Sequence, residues 1–317
     1  MATRIVTVFG GSGFIGRYVV KRLAQQGWFV RVAVRRPSRA AFLQPLGDVG
    51  QIMPLRAPLQ DEGAVRDVLE GAEAAINLVG VLFERGKQSF EAVHLDGARR
   101  VAEAAAAAGV KHLVQISAIG AEATADAKYA RTKGAAEQAV RQAFPAAVVL
   151  RPSIVFGPED EFFNLFASMA QLSPALPLIG GGRTRFQPVY VGDVADAVVR
   201  VLTDPACAGK TYELGGPRVY SFRELLELML RQIGRRRLLL PLPFWAATLE
   251  AAVLEWLPTP LLTRDQVKLL RRDNVVSEGA LTLADLGIRP TAVEVILPTY
   301  LDRFRKGGRF GLRSRVP

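Results

Sequence analysis

The chain has 317 residues, half of them apolar and 22% charged. It is long enough to bury a substantial core and too apolar for a disordered chain. Its 41 Lys and Arg against 30 Asp and Glu leave a formal net charge of +11, which favours an anionic partner such as phosphates, lipid headgroups or an acidic protein surface. No nucleic-acid-binding motif accompanies that charge, so no nucleic acid partner is expected. The single cysteine, Cys207, excludes an intramolecular disulfide and fits a reducing compartment. His94 and His112 stand at no metal-ligand spacing from each other or from Cys207, so no metal site is expected.

The first strand signal, "RIVTVFG" over 4–10, comes at once, so no secretory or transit segment is expected. That leads to the expectation of a cytosolic bacterial chain. "FVRVAV" (29–34), "AAINLVG" (74–80), "HLVQISAIG" (112–120) and "AAVVLRPSIVFG" (146–157) read as further strands. "FIGRYVVKRLAQQG" and "EAVHLDGARRVAEAAAAAG" (91–109) have helical spacing. β-branched strands alternating with helices predict an α/β fold, a parallel sheet with helices on both faces. After Gly157 the texture turns to loops and aromatics, and "PVYVGDVADAVVRVL" (188–202) reads as a return to the first domain. The predicted organisation is therefore 1–157 plus about 186–215 as one domain. A smaller, mostly helical region takes 158–185 and 216–303, and 304–317 is a basic tail. "SFRE" (221–224) and "TRDQ" (263–266) both have the form of a helix-capping box.

"GGSGFIG" sets Gly10, Gly13 and Gly16 between the first strand and the first helix. Gly10 permits the tight turn, Gly13 lets backbone approach a pyrophosphate, and Gly16 lets the helix pack closely. Ser12, Phe14 and Ile15 share this loop, whose helix would aim free N–H groups at phosphates. Val79 and Gly80, closing the 74–80 strand, are further candidate cofactor contacts. At the end of the second strand Val34 is followed by Arg35 and Arg36, with no acid to take a ribose 2′-hydroxyl. A guanidinium pair there suits a 2′-phosphate, so NADPH is expected, with NAD(H) as the alternative. A solvated basic loop is the other reading of Arg35, Arg36 and Arg39.

"YARTK" places Tyr129 and Lys133 four apart, on one face of a helix. A neighbouring ammonium is expected to lower the tyrosine pKa, as proton transfer near neutral pH requires. Ser117, in "QISAIG", is the candidate third member, placed to orient a substrate oxygen.

"GGSGFIG", "YARTK", "RPSIVFGP" and "PVYVGDVADAV" lie in the order found in the extended, epimerase-like branch of the short-chain dehydrogenase/reductase superfamily, which this chain resembles. The resemblance implies a Rossmann-type doubly wound sheet. It implies that Gly10, Gly13 and Gly16 form the dinucleotide loop, that Tyr129 and Lys133 are the catalytic pair, with Lys133 also on the nicotinamide ribose, and that Arg151–Pro152 runs past the nicotinamide. Two departures fall on the chemistry: Ala118 stands where the family commonly has a second hydroxyl, and His94 roughly where it often has an Asn.

"RPSIVFGPEDEFFNLFA" (151–167), "RFQPVYVGDVA" (185–195) and above all "LLTRDQVKLLRRDNVVS" (261–277) resemble the dehydrogenase-fold accessory subunits of respiratory complex I. That family implies a tightly held NADPH that does not turn over, with Tyr129, Lys133 and Ser117 vestigial as a catalytic set but still lining the cofactor pocket with Pro152, and Lys133 kept as a cofactor clamp. It also implies other complex I subunits as partners and a seat beside the quinone-binding region, at the membrane surface. For this chain the place would be the cytoplasmic side of a bacterial inner membrane. A free-standing NADP-dependent epimerase, dehydratase or reductase is the alternative.

Within 238–258, Trp245, Leu249, Ala252 and Trp256 form one helical stripe on a segment too short and too interrupted to span a bilayer. With Lys268, Arg271 and Arg272 following, the stripe fits a helix lying in an anionic headgroup layer. An ordinary core helix fits it equally. The tail "RFRKGGRFGLRSRVP" adds six cations and no acid for an anionic leaflet.

Overall fold

The computed structural model describes residues 4–86, 88–258 and 260–308. Residues 309–317, most of the basic tail, lie outside the described residues. The chain forms two compact units. The first comprises residues 1–152, 191–214 and 276–289; the second comprises 153–190, 215–275 and 290–317.

The first unit opens with β1 (Ile5–Phe9), α1 (Phe14–Gln25), β2 (Phe29–Val34), β3 (Ile52–Arg56) and α2 (Glu62–Leu69). It continues with β4 (Ala74–Asn77), α3 (Gly97–Ala107), β5 (His112–Ile116), α4 (Lys128–Ala143) and β6 (Val148–Pro152). The chain then runs through the second unit as β7 (Val155–Phe156), α5 (Phe162–Leu172), β8 (Ala175–Ile179), β9 (Arg185–Phe186) and β10 (Val189–Tyr190). It returns to the first as α6 (Val191–Thr203) and β11 (Thr211–Leu214). β12 (Tyr220–Ser221), α7 (Phe222–Gln232), β13 (Leu238–Leu242), α8 (Phe244–Leu254), α9 (Arg264–Leu269) and α10 (Val293–Leu301) complete the second unit.

The seven strands of the first unit form one parallel sheet in the order β11-β6-β5-β4-β1-β2-β3. Val6, Val8 and Phe9 of β1 are fully buried, as a central strand covered on both faces requires. Strand order reverses between β1 and β4, and in such sheets the crevice at the carboxyl ends beside the reversal receives ligands. β3 is an edge strand carrying Pro54, which cannot donate to a ladder; that proline hides the strand from a reading of pattern alone. The segment 74–80 leaves the sheet after Asn77, and 146–157 breaks into β6 and β7. The segment 91–109 opens with a π-helical stretch, Glu91–Asp96, before α3.

The expected boundaries need correction. Residues 276–289, read as part of the C-terminal region, belong to the first unit. Glu213 at the end of β11 holds them: its N–H donates to Leu281 O at 2.8 Å and its carboxylate accepts from Ser277 N at 2.8 Å. A single well-placed buried acid draws the strap in, and nothing in local periodicity announces it.

The second unit is built around phenylalanines. Phe162 lies edge-on to Phe163 and Phe166, and Phe222 contacts Phe162, Phe166 and Phe186. Asp160 is buried beneath them, accepting from the N–H groups of Gly157 and Phe163 and from the Tyr300 hydroxyl. Both predicted capping boxes form, Ser221 with Glu224 on α7 and Thr263 with Gln266 on α9. The stripe faces outward: Trp245 and Leu249 on α8 and Trp256, two residues past its end, are 68%, 63% and 89% exposed. Only Ala247 and Ala251 of that helix are buried. The core-helix reading of the stripe is therefore excluded. No helix among the described residues is long and apolar enough to cross a membrane.

The 261–277 stretch ends in a clasp. Asn274 Oδ1 accepts from Ser153 Oγ at 2.7 Å and Ile154 N at 3.1 Å, and its carbonyl accepts from Gln187 N at 3.1 Å. Asp273 pairs with Arg185 at 2.7 Å. Replacing Asn274 by Ala strips the acceptor from the Ile154 N–H and should cost about 1–3 kcal/mol. Asn274→Asp keeps an acceptor there and should cost less. Urea midpoints of the two variants at constant m test the order.

Candidate functional site

The site begins where β1 ends. Gly10 turns the chain with φ +76°, a conformation that disfavours any side chain. Gly13 N donates to Gly10 O at 3.0 Å. A Cβ on Gly16 would lie 2.4 Å from Gly10 O, so α1 sits on the loop backbone itself. Gly11 was not among the candidate residues, yet a Cβ there would meet Val32 at 2.8 Å. The signal was present in the doubled glycine of "GGSGFIG". Gly13 is the N-cap of α1 and no side chain caps it. The first-turn N–H groups beside half-buried Ser12, Phe14 and Ile15 thus remain available to an anion.

The loop after β4 closes on this turn. A Cβ on Gly10 would lie 3.2 Å from the Leu78 carbonyl carbon and Val79 N. Asn77, also missed by sequence reasoning, shapes that loop: its Oδ1 accepts from Val79 N at 3.1 Å and its Nδ2 donates to Gln115 at 2.9 Å. Its signal was a polar residue ending a fully apolar strand. Beyond it, Gly80 brings the two halves of the site together. A Cβ there would sit 3.3 Å from Lys133 Nζ and 3.8 Å from His94 Nε2.

Lys133 is buried and donates to Ile116 O at 3.3 Å. Burial pulls its pKa down to about 8, against the pull of Glu137. Ser117 follows that carbonyl. Its hydroxyl is buried and makes no hydrogen bond among the described residues, which is costly unless a ligand meets it. Tyr129 is half-buried one turn before Lys133, edge-on to His94 and Phe90 at 5.2 and 5.8 Å. The expected lowering of its pKa does not occur. Burial pushes it up to about 12, because taking the phenolate out of water penalises the charged form.

His94 is a structural member of the site. Its Nε2 accepts from Val81 N at 3.1 Å, which leaves Nδ1 as donor to Thr132 Oγ1 at 3.1 Å. Thr132 in turn donates to the Tyr129 carbonyl at 3.1 Å. Burial first, and Lys133 second, hold His94 neutral with a pKa of about 3. The ring joins the 78–81 loop, the π-helical stretch and α4.

Pro152 closes β6, and its carbonyl accepts from Ile119 N at 3.0 Å, beside the loop that follows Ser117. Arg151 before it is clamped by Glu137 at 2.6 Å and Glu213 at 3.5 Å. Arg35 and Arg36 are exposed past the end of β2, with no side-chain partner among the described residues. They lie on the opposite side of β1 from Lys133 and Tyr129, as the strand order dictates. The set as a whole fits a dinucleotide: a side-chain-free cradle, an uncapped helix end, a buried cation with donors to spare and an orphaned hydroxyl. No group of three or more His, Cys, Asp or Glu among the described residues is placed to hold a metal.

The NAD dependent epimerase/dehydratase family model matches residues 6–215. The mitochondrial NADH dehydrogenase (ubiquinone) 1 alpha subcomplex subunit 9 of Arabidopsis thaliana is 38% identical over 99% of this chain and 82% of its own length. A ceramide reductase of Caulobacter vibrioides is 34% identical over 76% of this chain and 74% of its own. The solved UDP-glucose 4-epimerase of Thermus thermophilus, in complex with NAD, superposes with TM-score 0.68 at 22% identity, covering 95% of this chain and 98% of that one. That last likeness is one of fold.

The His94 network makes folding pH-dependent. Its folded pKa of about 3 lies below the ordinary 6.5, so below 6.5 the unfolded state binds the extra proton. Stability from this group is complete above that pH and falls as acid is added. Each pH unit on the slope is worth at most about 1.4 kcal/mol, giving a loss of roughly 2 kcal/mol between pH 6.5 and about pH 5. Urea unfolding at the two pH values should show this loss, and His94→Asn should flatten it.

Proposed function

The chain belongs to the NAD dependent epimerase/dehydratase family, and we propose that within it this protein is an accessory subunit of respiratory NADH:ubiquinone oxidoreductase (complex I) that holds a nucleotide as part of its structure. The observation that carries this reading is the reach of the Arabidopsis match. It covers 99% of the chain, whereas the family model ends at residue 215. The matched span therefore extends past the family model, over the segments that carry the Asn274 clasp and the outward-facing helix α8.

The site's electrostatics support holding over turnover. A phenol raised to about 12 gives up a proton poorly near neutral pH. Ala118, beside Ser117, supplies no second hydroxyl. A bound nicotinamide would bring hydride-transfer capacity. What the chain itself supplies is binding: the glycine cradle and the α1 end for the pyrophosphate, Lys133 for the ribose, and Ser117 for a polar atom nearby. NADPH is the proposed form, since Arg35 and Arg36 offer free guanidiniums and no carboxylate to the 2′ position. Nucleotide at a thousand times its Kd would add about 4 kcal/mol to the fold. The exposed stripe of α8, with Arg271 over Phe244, and the basic tail would rest against the membrane surface near the quinone-binding region. In a bacterium that is the cytoplasmic side of the inner membrane.

A reductase reading has its own support in the Caulobacter match and in the intact Ser117–Tyr129–Lys133 set. Two measurements separate them. Mild solubilisation of membranes should recover the chain with other complex I subunits, carrying NADPH. Recovery as a lone soluble species, whose turnover Tyr129→Phe abolishes, would establish the reductase instead. Arg35→Asp with Arg36→Asp should weaken retained NADPH roughly tenfold or more, from the loss of charge-assisted hydrogen bonds worth about 1.5–3 kcal/mol. Tyr129→Phe should leave retention nearly unchanged. Retained NAD(H) in the native chain would overturn the proposed role of the two arginines.

A further inference from the structure

The second unit carries an open, solvent-facing cavity of about 650 Å³ that the nucleotide site does not explain. Five arginines line it: Arg223 and Arg231 from α7, and Arg235, Arg236 and Arg237 from the turn that leads into β13. Glu227 is the single acid in its wall, 3.9 Å from Arg223 and too distant to neutralise more than part of that one charge. Two of the arginines are committed to the fold: Arg235 donates to Phe304 O at 3.1 Å and Arg237 to Ala170 O at 2.8 Å. Arg231 and Arg236 are exposed and have no side-chain partner among the described residues. A cation near the C-terminal end of α7 complements the helix dipole, which accounts for Arg231 on its own. It does not account for Arg236, which lies beyond the helix.

Leu230, Leu238 and Leu239 add an apolar part to the lining. It continues along the chain into exposed surface. Leu238 and Leu240 of β13 are 67% and 53% exposed, and β13 pairs only with β8 among the described strands. The strand then enters α8, whose outward stripe begins at Trp245. Uncompensated guanidiniums beside leucines that lead onto an exposed apolar strand match one kind of molecule: an anion attached to hydrocarbon. Guanidinium forks match phosphate oxygens pairwise, and a free phosphate would leave the leucines unused.

We propose that this cavity binds the phosphate headgroup of an anionic phospholipid, with Arg231 and Arg236 as its principal ligands and the β13 leucines along the glycerol and upper acyl chain. The proposal rests on the membrane-surface part of the function above. It adds selection of lipid by charge to docking by an apolar helix.

The test uses the full purified chain and floats it with two kinds of vesicle, neutral phosphatidylcholine and phosphatidylcholine containing phosphatidylglycerol. The wild type should prefer the phosphatidylglycerol vesicles. An arginine near an anionic leaflet contributes about fivefold in partitioning, so Arg231→Gln with Arg236→Gln should cut that preference roughly thirtyfold. Both side chains are exposed and unpaired, so the double variant should stay folded and, losing only the Arg231 contribution to the α7 dipole, melt within a few degrees of the wild type. The basic tail is present in every variant and its contribution cancels. Trp245→Ala with Trp256→Ala should instead weaken binding to both vesicles and keep the preference. A double arginine variant that retains the preference, or a wild type that binds both vesicles alike, overturns the inference. So does displacement from phosphatidylglycerol vesicles by inorganic phosphate at constant ionic strength, which would assign the arginines to a soluble anion. If recovery with complex I subunits persists while the lipid preference is absent, this inference fails and the subunit reading stands.

Discussion

The first unit depends on how closely helix α1 can approach the end of strand β1. That distance is set by atoms that are not there. Side chains at positions 11 and 16 would collide with a valine of the sheet or with loop backbone, and position 10 combines a positive φ with tight contact to the loop after β4. Their absence lets the helix end, the turn and the loop after β4 share one small volume. From that contact the rest of the site follows. Gly10 meets Leu78 and Val79, Asn77 fixes that loop, and Gly80 lies against Lys133 and His94. The reversal of strand order beside β1 gives the construction its open edge.

Within this frame, burial decides the electrostatics. Lys133 and Tyr129 are one helical turn apart, and in water each would favour the charged form of the other. Here desolvation is the leading cause of both shifts, moving Lys133 down to about 8 and Tyr129 up to about 12. Both displacements favour neutral forms, and His94 follows the same rule. A pocket that disfavours charge on its own proton-transfer groups suits a ligand that brings polar atoms with it. The unpartnered Ser117 hydroxyl points to the same need.

The second unit is organised in the opposite way. Its core is filled by phenylalanines and closed by the buried Asp160 and the Asn274 clasp. That leaves helix α8 seated by Phe244, Ala247 and Ala251, with Trp245 on it and Trp256 just past its end turned outward. A helix that buries its small residues and exposes most of its large ones is arranged for something beyond its own fold. The arginine-lined cavity beside β13 gives that surface a polar edge.

Much of this was legible in the residues. "GGSGFIG" after a valine-rich strand specifies a turn and a helix start by steric exclusion alone, and the i, i+4 spacing of Tyr129 and Lys133 places them on one helix face. The two capping boxes are local hydrogen-bond patterns and formed as written. These features depend on neighbours within a few positions of the chain, and such neighbours are given by order. Other features were settled by contacts across many residues. Pro54 is tolerated because β3 is an edge, and residues 276–289 join the first unit because Glu213 reaches them. His94 became a structural link because Val81 and Thr132 close on it. The direction of the Tyr129 shift reversed because burial, a property of the assembled fold, set it, and not the charge that sequence spacing had shown. By itself the sequence determined which elements form and which residues share a face. Only the tertiary structure decided which faces are buried, and desolvation, which follows burial, then set the charge state of the site.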